Sequence, residues 1–324
     1  MEENGMKYYV GIDLGGTNIV AGVVDETYRL ITTASQKTRN QRPAREIADT
    51  MIKTARQAVE QAGLTMEQVE SVGIGSPGMV DPIKREVVYA SNLRFQNTPL
   101  GPWLEEALGV PVYLANDADA AAYGEFKAGA GQGCHSMVAV TLGTGVGSGI
   151  IIDDKIYTGY GHAAGEFGHS VLVSGGRPCS CGRKGCVEAY CSATGLINLT
   201  REEMQQHPES LMWKLCGGEL EQADGRTSFD AWQQGDEAGT RVVESYTNYL
   251  ADAVVNLVNT LQPQVICIGG GVSKQGENLL RPIREKLDRE AFERFANQRT
   301  QVRIAQLGND AGIIGAALIG LQEQ

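Results

Sequence analysis

Between residues 8 and 38 apolar and polar positions alternate and β-branched side chains recur, so that YYVGIDLGG, TNIVAGVVD and RLITTASQKT each read as a strand. Three antiparallel strands are expected, the first turn being Gly15-Gly16. From about Pro43 to Ala62 the period becomes helical, with Ile47, Met51, Ala55 and Val59 on one side. A strand ending in the run from Gly73 to Gly78 follows, then a short helix around Trp103 to Leu108, the strand VPVYLAN and a helix opening at Asp117. These strands end in glycine or small polar residues, where open α/β sheets place their ligands.

The pattern then restarts. SMVAVTLGTGVGSGIIIDDKIYTG, residues 136–159, lines up with the opening strands; GIGSPG (73–78) is echoed by IGGGVS (268–273), and YLANDADAAAYG (113–124) by QLGNDAGIIGAA (306–317). Three matches in one order imply a duplicated α/β unit, hence two similar lobes facing each other across a cleft. The expected division is 1–117, with a C-terminal helix of about 310–324 packing back on it, and 118–309. The second lobe carries a loop at 162–188 and a helical insertion at about 192–236, with polar linkers such as Leu220 to Asp230. The helix from about Glu237 to Thr260 has a core-facing stripe of Val242, Val243, Tyr246, Leu250, Val254, Leu257 and Val258.

At 324 residues the chain exceeds the usual single core, which agrees with two lobes. A hydrophobic content of 42% and a charged content of 21% are those of a globular protein. The net charge of −11 argues against gripping a nucleic-acid backbone, which needs a basic face. It leaves a nucleotide open, because magnesium and backbone amides can meet that charge. MEENGMKYYV lacks the pattern of a signal peptide, and the apolar run from Ile313 to Leu321 is too short to span a bilayer. Four cysteines (Cys134, Cys191, Cys216 and Cys267) show no pairing pattern, which fits a reducing, cytoplasmic setting.

The other three cysteines stand together. Cys179, Cys181 and Cys186 follow His169 at a distance that a closing loop can span, and the Gly-Arg-Lys-Gly run between them frees the backbone to wrap. That reads as a Cys3His zinc site of the closed, structural kind. Buried thiols or a disulfide are the alternatives, but a Cys-x-Cys pair is badly placed for bridging and the loop is polar. Glu166 and His169, three apart, share a face of a turn, and Glu188 lies two residues past the last cysteine. Two carboxylates around an imidazole that can donate from its free nitrogen suit a ligand rich in hydroxyls.

Three glycine-rich turns remain: Asp13 to Asn18, Leu142 to Gly147 and Gly269 to Ser273. Glycine lets backbone amides approach a phosphate closely, although a hairpin needs glycine with or without a ligand. Neither a P-loop nor a Rossmann fingerprint is present.

With these turns and the HAAGEFGH and CSCGRKGCVE segments, the chain resembles the ROK family, named for repressors, unassigned reading frames and kinases, within the sugar kinase, actin and Hsp70 superfamily. It looks most like the bacterial ROK glucokinases of the Firmicutes type. The resemblance implies a duplicated ribonuclease H-like α/β fold of two lobes and ATP-dependent phosphorylation of the glucose 6-hydroxyl. It makes His169, Cys179, Cys181 and Cys186 zinc ligands and Asp117 the catalytic base. Gly78, Asn92, Asn116, Asp117, Glu166, His169 and Glu188 would line the sugar pocket. Gly15, Gly16, Thr17, Asn18, Gly143, Thr144 and Gly145 would face the phosphates of ATP, Gly270 and Gly271 its adenosine, and Asp13 its magnesium through water. A homodimer is implied too, with no nucleic acid or membrane as partner.

Read from the residues alone, Asp117 stands where a strand meets a helix, so its simplest role is N-cap, shared with Asp310 in the second copy. A helix N-terminus is expected to favour its ionised form, as a base requires. Other hexoses (fructose, N-acetylmannosamine, allose) remain open as substrates. A sugar-responsive repressor of the family would need a DNA-binding winged helix ahead of the first hairpin, and only seven residues precede Tyr8. Superfamily phosphatases lack this cysteine loop.

Overall fold

The computed structural model describes residues 6–322. Residues 1–5 and 323–324, the extreme ends of the expected 1–117 and 310–324 segments and half of the stretch read for a signal peptide, lie outside it.

The alternating start of the chain forms β1 (Tyr8–Leu14), β2 (Asn18–Asp25) and β3 (Leu30–Lys37), antiparallel in that order. Helix α1 (Ala44–Gln61) follows, its Ile47, Met51, Ala55 and Val59 all buried. Strand β4 (Val69–Ser76) runs parallel to β1. Three short strands, β5 (Met79–Asp81), β6 (Glu86–Ala90) and β7 (Phe95–Thr98), form a separate sheet that the sequence pattern does not reveal. Segments of three to five residues are too short for a period to declare itself. Then come α2 (Leu100–Leu108), β8 (Val112–Asn116), parallel to β4, and α3 (Asp117–Ala128). The first sheet has the order β3-β2-β1-β4-β8, and Ile12, Leu14 and Ile19 lie in its sealed core. Each such side chain contributes about 1.5–3 kcal/mol by leaving water.

The second copy opens with β9 (Met137–Leu142), β10 (Val146–Ile152) and β11 (Lys155–Ile156). Helix α4 (Glu188–Cys191) follows the cysteine loop, and the insertion holds α5 (Ala193–Gln206), α6 (Leu211–Leu215) and α7 (Thr227–Gln233). Helix α7 claims the end of the segment expected as a linker, because Phe229 and Ala231 are fully buried. Helix α8 (Glu237–Leu261) buries every residue of its expected stripe. The chain ends with β12 (Val265–Gly269), α9 (Glu277–Glu290), β13 (Gln301–Ile304) and α10 (Ala311–Leu318). The second sheet has the order β11-β10-β9-β12-β13. That is the order of the first sheet strand for strand, with the outer pairs again antiparallel (β10 and β11) and parallel (β12 and β13). Duplication is therefore visible in the topology as well as in the motifs.

The chain divides into two compact units: residues up to 138, 149–165 and from 306 onward, and residues 139–148 with 166–305. The first unit runs past the break expected at 117, because α3 and α10 pack on one another. Helix α10 also lies directly on the first sheet. A Cβ on Gly11 would fall 1.9 Å from the Ile313 carbonyl oxygen, and one on Gly73 1.8 Å from that of Ala316, so only glycine fits at either strand position. The buried carboxylate of Glu125, on α3, accepts from the amides of Gln306 and Leu307 at 3.0 and 2.7 Å and from Ala130 at 3.0 Å. These bonds compensate its desolvation and fix where α10 begins.

Candidate active site

Strand β8 runs straight into α3, and the junction is managed by Asn116. Its Oδ1 accepts from the amides of Ala118 and Asp119, at 2.8 and 3.4 Å, and its Nδ2 donates to the Gly78 carbonyl at 3.0 Å. Asn116, rather than Asp117, is thus the N-cap. Gly78, at a φ of +92°, has no room for a side chain, since a Cβ would lie 2.2 Å from the Tyr89 carbonyl. One asparagine therefore ties the turn after β4 to the start of α3. In the second copy Asp310 occupies the N-cap of α10, yet its side chain makes no capping bond.

Freed from capping, Asp117 presents its carboxylate at the first helical position, with one oxygen accepting from the Ala118 amide at 2.9 Å. The residue is exposed, and the protein around it desolvates the carboxylate in part. That desolvation raises its pKa above the usual carboxylate value, although the Ala118 amide and the Asn116 side chain pull the other way. The expected preference of the helix N-terminus for the ionised form is outweighed. Asp13, near the end of β1, is raised as well, by its own burial first and by the charge of Asp117 second. Two carboxylates thus share one electrostatic environment, one near the end of β1 and one just past the end of β8, with β4 between those strands. Gly312 leaves open the space beside Asp13, where a Cβ would stand 3.5 Å from the carboxyl.

The turn between β1 and β2 closes with the Gly15 amide donating to the Asn18 carbonyl at 2.9 Å. It is braced from below by Thr38, fully buried, whose hydroxyl donates to the Gly15 carbonyl at 2.6 Å and whose amide donates to that of Thr17. No sequence signal marked Thr38. Gly16 lies next to Asn92, Thr17 is exposed, and Asn18 accepts from the Lys37 ammonium.

The turn between β9 and β10 is tighter, the Gly143 amide donating to the Gly145 carbonyl at 3.0 Å. Its remaining carbonyls are taken by the first turn of α5: the Ala193 amide donates to Gly143 and the Thr194 hydroxyl to Thr144, both at 2.8 Å. Among the described residues no hydrogen bond uses the Thr144 and Gly145 amides. The insertion, to which sequence reading assigned no chemistry, thus holds one glycine turn; the Ser-x-x-Gly N-cap at Ser192 is the signal that could have drawn attention to it. In the third glycine run, a Cβ on Gly270 would lie 2.4 Å from the Leu142 carbonyl, whereas Gly271 stands in open space.

Glu166 is exposed, and its carbonyl accepts from the His169 amide at 3.0 Å, which closes the 3-10 turn Phe167–His169. His169 points Nδ1 at the Cys179 sulfur, 3.6 Å away, and the sulfurs of Cys181 and Cys186 are 3.7 Å apart. The four donor atoms all lie within 4.8 Å of one another, and none of the cysteines is bridged. Four donors about 2.1–2.3 Å from a common tetrahedral centre have edges of about 3.5–3.8 Å, which the His169–Cys179 and Cys181–Cys186 separations match, so the set can hold a zinc ion. The backbone supports it: Cys179 donates to the Arg183 carbonyl, and Arg183 reaches over to the His169 carbonyl.

Glu188, at the start of α4, sits between this loop and the Gly143 to Gly145 turn. Its Oε1 accepts from the Ser180 hydroxyl at 2.9 Å and its Oε2 from the Val146 amide at 3.2 Å. Next to it opens a cavity of about 520 Å³, walled by Thr144, Gly145, Cys179, Ser192, Thr194 and Asn198 and rimmed by the Arg177–Glu202 ion pair. Sequence-selected residues therefore gather in two groups: Asp13, the 15–18 turn, Gly78, Asn92, Asn116 and Asp117 in the first unit, and the remainder in the second.

The ROK family model matches residues 9–323. The chain is 35% identical to a glucokinase of Halalkalibacterium halodurans over 98% of this chain and 96% of that one. It is similar to the crystal structure of a ROK family glucokinase from Streptomyces griseus in complex with glucose and AMPPNP, with a TM-score of 0.77 and 36% identity over 97% and 99% of the two chains. A ROK hexokinase structure from Thermus thermophilus is similar at a TM-score of 0.78 and 32% identity, over 98% and 100%. With its whole length matched in this way, and with the cysteine loop and glycine turns in place, the chain belongs to the ROK family.

Proposed function

We propose that the protein is an ATP-dependent hexose kinase that transfers the γ-phosphoryl group to the 6-hydroxyl of glucose. The observation that carries this reading is the Asp117 carboxylate, released from capping by Asn116 and electrostatically linked to Asp13, in a chain that is about 35% identical along its whole length to glucokinases.

In this reading Asn116, Glu166, His169 and Glu188, with Gly78 and Asn92 nearby, accept and donate hydrogen bonds around the sugar. Asp117 takes the proton of the 6-hydroxyl as its oxygen bonds to phosphorus and the bond to ADP breaks. A raised pKa brings the base closer to the working pH, where proton transfer has the larger driving force. The turns at Gly15 to Asn18 and Gly143 to Gly145 offer amides to the phosphates, Asp13 holds water on magnesium, and Gly270 and Gly271 border the adenosine. Zinc would be held by His169, Cys179, Cys181 and Cys186 and supplies rigidity alone, since a Cys3His set leaves no open position. His169 then keeps Nε2 as a donor. A cytoplasmic homodimer completes the proposal; among the described residues no helix is long and apolar enough to cross a membrane.

The test is ADP release with Mg·ATP and glucose, fructose, mannose, allose and N-acetylmannosamine in turn. Preference for glucose is expected. A different preferred hexose would keep the kinase and change the substrate, and no stimulation by any sugar in folded, zinc-loaded protein would remove the kinase reading.

A further inference from the structure

Glu188 touches the metal loop and the glycine turn at once, its Oε1 also accepting from the Cys179 thiol at 3.5 Å. One oxygen takes the hydroxyl of Ser180, which stands between the metal-site residues Cys179 and Cys181; the other takes the Val146 amide at the end of the glycine turn. It also fills the space over Gly145, where a Cβ would come within 2.4 Å of Oε2. Opposite, α5 holds the carbonyls of Gly143 and Thr144. The turn is therefore clamped from two directions, and on the Glu188 side the contact with the cysteine loop is direct.

We propose that Ser180 and Glu188 form a strut through which the metal loop positions the Gly143 to Gly145 turn, so that Ser180 is a positioning residue for the phosphoryl donor and not for the sugar alone. The proposal rests on the kinase reading, in which this turn binds the phosphates of ATP. It extends the loop's role: besides fixing groups around the sugar, the loop sets the affinity of the nucleotide site. A carboxylate is suited to the task, because its two oxygens accept independently and hydrogen bonds to a charged acceptor are the stronger kind.

Calorimetric titration of Mg·AMPPNP and, separately, glucose into zinc-loaded wild type, S180A and S180T tests the strut. S180A should keep its zinc and bind Mg·AMPPNP about 5- to 10-fold more weakly, the scale of one net hydrogen bond, with a smaller loss of glucose affinity. S180T, which keeps the hydroxyl, should bind as wild type does. Gly145→Ala attacks the same strut from its other end, since the new methyl meets Glu188 at Oε2. S180A combined with G145A should then bind Mg·AMPPNP no more weakly than the weaker single variant. Unchanged nucleotide affinity in S180A, an equal loss of glucose affinity, loss of its zinc, or additive effects in the double variant would each overturn the strut and leave the kinase reading standing. Wild type that bound no Mg·AMPPNP would overturn both.

Discussion

The Asn116 side chain donates to the Gly78 carbonyl at 3.0 Å while its oxygen caps the helix that begins at Asp117. The turn after β4 and the helix bearing the proposed base are thereby set by one residue. Replacing Asn116 by Ala removes both bonds and should cost about 1–2 kcal/mol of stability. N116D keeps the acceptor and should recover most of the capping share, but without the donor to Gly78 its turnover should stay low. Denaturant melts and steady-state kinetics of the two variants separate these contributions.

Asp117 carries a pKa raised by burial, so the folded state holds its proton more tightly than the unfolded chain does. Stability from this group is fully present below the unfolded-state pKa and is lost as pH rises through the folded-state value. D117N, neutral at every pH and still able to accept from Ala118, should therefore melt above wild type at neutral pH, with the gap closing in acid. Relief of the Asp13 carboxylate acts in the same direction. Scanning calorimetry from pH 4 to pH 8 checks it, and a lower neutral melting temperature for D117N would show the sign to be wrong.

For the same reason turnover should fall on acidification at a higher pH than an unperturbed aspartate would give. A profile of kcat against pH, with stability monitored in parallel, reads this directly. A rate flat down to the ordinary carboxylate range would contradict the raised base.

Removing the metal should loosen the cysteine loop rather than empty a reaction centre. A chelator, or C186A, should lower the melting temperature and open the 162–188 region to protease, because binding energy at a structural zinc site is folding energy. Metal analysis should return one zinc per chain before chelation.

Gly11→Ala places a methyl against the Ile313 carbonyl where only 1.9 Å is available. Helix α10 would have to lift from β1, a change expected to cost about 2–3 kcal/mol or more. The corresponding change at Gly63, where nothing lies within 4 Å, serves as the exposed control, although its φ of +71° adds strain of its own.

Much of this was legible because physics writes it locally. Alternation declared β1 to β3, a helical stripe declared α1 and α8, and the recurring motifs announced the copy that both sheets repeat strand for strand. The spacing of Cys179, Cys181 and Cys186 behind His169 sufficed to propose the cluster, since metal ligation requires those residue types close together. What stayed hidden depends on long-range contact. Asn116 and Asp117 are adjacent acceptors at a helix start, and the bond from Asn116 to Gly78, 38 residues earlier, is not visible in the local sequence. Thr38 and Thr194 look like any surface threonine until the turns they brace are folded beside them. The pKa of Asp117 depends on crowding, which no run of residues around it spells out.

The central claim is tested most directly by comparing glucose turnover with glucose binding in D117N. With Asp117 as the base, D117N should bind glucose within about 3-fold of wild type while kcat falls by about 10²-fold or more, the usual scale of general-base catalysis. A kcat within a few-fold of wild type, or an equal loss of binding and turnover, would contradict the assignment.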